Sequence, residues 1–123
     1  MREVDLKART QRFPLDAIRL SHSLPRDSVG SVIGRQLLRA ATSVGANYRA
    51  ACRARSRSDF IAKLKIVEEE TDETAYWLEL LGDSNTVTSA RLGPLRSEAD
   101  ELLRIVVSSI KTARVRQKEE CAV

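Results

Sequence analysis

The residues with the most chemical reach in this chain are arginines. Arg35, Arg39, Arg49 and Arg53 recur at spacings that, at 100° per residue, put them within an arc of roughly 80° on one helix, and that arc contains no acidic residue. Thr42 and Ala46 fill the middle of the stripe, and Arg55 and Arg57 carry the basic run past the helix end. A solvent-facing helix surface ordinarily mixes signs. A guanidinium stripe free of carboxylates suits planar hydrogen bonding to phosphates or to carboxylates. Two partners therefore stand open: nucleic acid, or a carboxylate-rich protein surface such as the acidic half of a second subunit.

Other chemistry is sparse. No Walker loop, dinucleotide fingerprint, HExxH or GxSxG pattern occurs. His22 falls near the end of the first helical segment, where it reads as a solvated His stabilising the helix terminus and not as a catalytic group. The acidic group Glu68, Glu69, Glu70, Asp72 and Glu73 has no His three residues from a Glu, as inward-facing di-metal sites require, and reads as a solvated acidic face. One His and two Cys cannot build a zinc site or a disulfide framework. Cys52 and Cys121 read as free thiols, with Cys52 a small core filler despite its neighbour Arg53. These readings predict no catalytic residue, no metal and no cofactor.

Four helical segments, predicted at about 5–24, 28–54, 57–82 and 90–116 with a polar tail at 117–123, must position the arginines. The first carries Leu6, Phe13, Ala17, Leu20 and Leu24 on one face, with Pro14 either starting or kinking it. The second presents Ile33, Leu37, Ala40, Val44, Tyr48 and Ala51 opposite the arginine stripe. Its Gly34, Ala41, Gly45 and Ala46 allow close helix approach, and Asn47 beside that face is expected to be buried and hydrogen-bonded. In the third, Phe60, Leu64, Val67, Thr71, Thr74, Leu78 and Leu81 form a heptad seam. Ser56 and Asp59 make its capping box, and Gly82 with Asp83-Ser84-Asn85 stops it. Ile66, Trp77 and Leu80 lie off the seam, as a shoulder against a neighbouring helix or as a subunit interface. The fourth carries Leu92, Leu95, Ala99, Leu102, Val106 and Ala113. Short connections between such helices predict a single all-α domain, an antiparallel up-down-up-down four-helix bundle.

Composition agrees. At 123 residues, 42% hydrophobic, 31% charged and 4% aromatic, the chain suits one ordered domain and disfavours an all-β fold. The charge is divided: residues 1–57 hold 12 Lys/Arg and 4 Asp/Glu, a balance of +8, and residues 58–123 hold 9 and 13, a balance of −4. Such a chain can bind polyanions or pair with itself. There is no apolar run of membrane-spanning length and no signal-peptide core at the N-terminus, so a cytoplasmic, membrane-free setting is expected.

The stretches Gln36-Leu37-Leu38-Arg39, Thr42 to Arg49, Ser56 to Phe60 and Glu73 to Leu81 closely resemble the bacterial four-helix-bundle family of 23S rRNA intervening-sequence proteins, and the resemblance covers almost the whole chain. Pro14, Ala40 and Ala50 depart from the family pattern. The resemblance implies a small cytoplasmic bundle that assembles as a homopentamer and brings no catalytic residue. A related branch, the accessory variability determinant of diversity-generating retroelements, is a basic pentamer that binds reverse transcriptase and nucleic acid. By that analogy a reverse transcriptase is a further expected partner. The combined expectation is a non-enzymatic oligomer that binds RNA or DNA through Arg35, Arg39, Arg49, Arg53 and Arg57, with Ile66, Trp77 and Leu80 at the subunit boundary. The alternative is a protein-interaction scaffold whose arginines make inter-subunit salt bridges.

Overall fold

The computed structural model describes residues 3–122, with side chains described from Leu6 onward. Its elements are α1 (Glu3–Ser21), α2 (Ser28–Cys52), α3 (Arg57–Asp83) and α4 (Ser89–Ala122), and no strand occurs among the described residues. Consecutive helices run antiparallel and pack side by side, with α1 against α4 the thinnest contact. This is the four-helix bundle that the apolar periodicity predicts.

Each helix buries one stripe. Leu37, Val44, Leu64, Val67, Leu78, Leu81, Leu92, Leu102 and Val106 are fully enclosed. The α3 stripe begins at Ile61, with Phe60 half-buried and packed against the core from outside. The buried Thr71 and Thr74 are satisfied within their own helix, donating their hydroxyls to the Val67 and Glu70 carbonyls at 2.7 Å.

Local signals set the helix ends. The Asp27 carboxylate accepts from the Gly30 N–H at 2.9 Å, and Ser56 Oγ accepts from the Asp59 N–H at 3.0 Å, so both helices start on a side-chain cap. The turn after α3 is made by Asn85 (φ 59°) and not by Gly82, which remains helical. Asn and Gly both tolerate the left-handed region, and here the Thr86 and Val87 N–H groups close back on the Leu81 carbonyl at 3.0 and 3.1 Å.

Three further expectations are corrected. Pro14 does not start α1 but lies inside it, where its missing N–H releases the Thr10 carbonyl; Gly45 of α2 packs directly over that carbonyl. Residues 117–122 of the expected tail are helical, with Val123 outside the described residues. Polar contacts tie that end to the start of α3: Gln117 Nε2 donates to Ser58 Oγ at 2.8 Å and Arg57 Nη2 to Glu120 at 2.9 Å. Cys52 is exposed while Ala51 beside it is buried: it lies on the edge of the apolar arc and lines the open groove between α1 and α2.

Candidate nucleic-acid interface

The arginine stripe separates by what each guanidinium meets. Arg39, on the α3 side, donates to Glu70 at 3.3 Å and to Glu73, and its Nε reaches Gln36 at 3.1 Å. Glu70 also accepts from Ser43 Oγ at 3.2 Å, and Ser43 in turn accepts from the Asn47 amide at 2.9 Å. Asn47 bonds the Ser43 carbonyl as well, at 3.0 Å; it is hydrogen-bonded as expected but only half-buried, on the flank of the α2–α3 seam. Glu73 accepts from the Trp77 indole N–H at 3.0 Å. That bond, then Arg39, holds its carboxyl below the usual glutamate range. Two of the five clustered acids thus serve as partners for an arginine.

Arg57 is likewise engaged, by Glu120 across the α3–α4 boundary. Arg35, Arg49 and Arg53 differ: each is exposed, and none makes an ion pair among the described residues. Arg35 and Arg49 lie on α2, which ends at Cys52 and not at 54, and Arg53 is its C-terminal cap; together they span roughly 27 Å along the helix axis. Arg49 and Arg53 rim a groove of about 750 Å³ between α1 and α2, with Lys7 on the opposite wall and Pro14, Leu15 and Ile18 along its α1 side. No acid among the described residues lines this groove. Arg35 stands at the other end of the helix, over the α1–α2 turn near His22 and Arg26.

Ile66, Trp77 and Leu80 are all half-buried. Trp77 packs against the core and meets Tyr76 edge-on, with ring centroids 5.0 Å apart. The structure also leaves exposed apolar residues that periodicity alone does not single out: Tyr76, next to Trp77 on α3, and Val29 and Val32 on α2, each about half exposed. Their signal in the sequence is an apolar position outside the buried stripe, near the start of α2 for the two valines.

Comparison with known proteins decides the lineage. The family model for the 23S rRNA-intervening sequence protein matches residues 2–108. The chain belongs to that family. It is also similar to a protein from Bacteroides thetaiotaomicron whose crystal structure is described as that of a protein of unknown function from the S23 ribosomal protein family. The two are 36% identical, with a TM-score of 0.81 over 86% of this chain and 98% of that one. No curated protein matches the chain. In this intervening-sequence-family member, no helix among the described residues is long and apolar enough to cross a membrane.

Proposed function

We propose that this intervening-sequence-family chain is a non-enzymatic, cytoplasmic bundle that assembles with copies of itself as a pentamer and holds RNA or DNA on the outer face of α2. The observation that carries the reading is the division among its arginines. Arg39 and Arg57 are matched by carboxylates of the same chain, whereas Arg35, Arg49 and Arg53 stand exposed with no carboxylate partner among the described residues. In this reading Arg39 and Arg57 are structural, and the ligand surface contracts to the other three with Lys7 of α1.

Three guanidinium groups over roughly 27 Å reach several phosphates of a polynucleotide backbone. The arc contains no aromatic side chain on which bases could stack. The contact is therefore electrostatic, salt-sensitive and indifferent to sequence. Assembly through Ile66, Trp77 and Leu80, extended by Val32 and Tyr76, would repeat the stripe and raise a weak contact to useful avidity. By analogy with the accessory variability determinant, a reverse transcriptase working on the same nucleic acid is a further partner class.

Charge reversal at Arg35, Arg49 and Arg53 tests the reading when RNA and DNA retention is measured beside light scattering. Loss of retention with the oligomer intact is the expected result. Dissociation of the oligomer with retention unchanged would instead make these arginines inter-subunit ion-pair donors and the protein a scaffold.

A further inference from the structure

The helices of the bundle differ in length: α4 runs roughly 51 Å and α1 roughly 28 Å. Near the start of α1 a pocket of about 380 Å³ opens between α3 and α4, with Tyr48 of α2 also on its wall. Its apolar wall is made by Leu6, Phe60, Leu64 and Ile105. Its polar wall is made by two guanidinium groups, Arg57 and Arg116, and by the hydroxyl residues Ser108, Ser109 and Thr112.

We infer that this pocket binds a small oxyanion carried on an apolar body, with Arg57 and Arg116 holding the charged end. Arg57 uses only Nη2, in a single bond to the exposed Glu120. Its Nε is shut off from water and has no acceptor, the one such side-chain atom among the described residues. A buried donor in that state is destabilising until an acceptor arrives. Arg116 makes no ion pair among the described residues; the Glu120 carboxyl is held below its usual range first by its bond to Arg57, and the Arg116 charge is near enough to add to that. Ser109 donates to the Ile105 carbonyl at 3.0 Å, while Ser108 and Thr112 make no side-chain hydrogen bond among the described residues.

The mixed lining sets the ligand class. A purely apolar guest would desolvate guanidinium groups without repayment, and a bare ion would leave the Leu and Phe wall unmatched. An oxyanion offers Arg57 the two-point acceptor that Glu120 does not, since bidentate pairing uses Nε and one Nη together. Glu120 is then a built-in competitor: the guanidinium turns from it toward the ligand. Phosphate monoesters and carboxylates share this chemistry. Arg57 has no part in the nucleic-acid surface of α2, so the pocket and that surface stand or fall separately.

The test is an NMR titration of the full-length labelled chain with phenyl phosphate, with benzoate and with phenol, at about 150 mM salt to screen loose charge pairing. At least one of the two anions is expected to saturate, shifting the Arg57 Nε–H resonance and the Ser108 and Thr112 amides; which one does so identifies the source. Phenol should not compete. Arg116→Gln should weaken binding about fivefold or more and Glu120→Gln should tighten it, while Arg91→Gln, at the exposed start of α4 and the far end of the bundle, should leave it unchanged. Absence of saturation with both anions, phenol binding as tightly, or equal weakening by Arg116→Gln and Arg91→Gln would overturn the inference.

Discussion

Three glycines on α2 make a graded test of how closely this bundle is packed, because replacing each by Ala brings the same local gain. Ala is favoured over Gly inside a helix by about 1 kcal/mol. What differs is the atom that the new methyl group would meet. At Gly34 it lies 3.0 Å from Leu24 Cδ1, the movable end of a side chain. At Gly45 it lies 2.7 Å from the backbone carbonyl oxygen of Thr10, with the Pro14 ring at 3.4 Å. At Gly30 it lies 2.1 Å from the Pro25 carbonyl oxygen. Leu24 can change rotamer, so Gly34→Ala should be close to neutral. Gly45→Ala requires α1 to retreat as a body, and overpacking of that kind costs about 1–3 kcal/mol, leaving a net loss of about 1 kcal/mol after the helix gain. Gly30→Ala should lose more, because the clash is deeper and the Pro25 backbone is stiff. Denaturant unfolding followed by helical circular dichroism, at one fixed protein concentration, reads the order directly. A Gly45→Ala variant as stable as Gly34→Ala would refute the claim that α1 and α2 meet backbone to backbone at this point.

Other outcomes follow from the polar contacts. Arg9 holds Glu98 in a two-point pair at 2.7 and 2.8 Å and reaches Glu101 at 3.0 Å, so Arg9→Gln should cost about 1–2 kcal/mol and raise hydrogen exchange first in α1. Glu73 is held below the ordinary glutamate value by the Trp77 indole and by Arg39; the stability it contributes is present above about pH 4.3 and is lost as pH falls through its lower folded value. Trp77 emission should therefore titrate below the ordinary carboxylate range, and Arg39→Gln should move that midpoint upward. Leu80→Glu places a charge in the apolar shoulder beside Tyr76 and should turn a light-scattering oligomer into monomers with unchanged helicity; an oligomer that survives it would remove this shoulder from the interface.

Helix number, order and buried faces were legible because burial in a bundle follows a period that the chain displays. Leu64, Val67, Thr71, Thr74, Leu78 and Leu81 are all buried in α3, as the seam predicts. The partner of each outward charge was not legible. Arg39 meets acids 31 and 34 residues away, a match set by the register of two antiparallel helices that single-helix periodicity does not encode. For the same reason the helical run to Ala122 is not visible in the sequence: its apolar stripe ends at Ala113, and polar contacts from Gln117 and Glu120 to the start of α3 hold the remainder. Cys52 follows a buried Ala51 but faces the open groove between α1 and α2, and the width of that groove is not readable from the spacing within one helix.

A phosphate-binding surface at Arg35, Arg49 and Arg53 is tested most directly by the affinity for a mixed-sequence RNA and its DNA counterpart as a function of salt. Log K should fall linearly with log salt for both, and scrambling the sequence should change little. Replacing the three arginines by Gln should flatten the slope by about 0.7–0.9 for each phosphate no longer neutralised. Replacing Arg39 instead should leave the slope in place, since its charge is already matched by Glu70 and Glu73. No binding at low salt, or a slope that does not change when all three arginines are replaced, would contradict it.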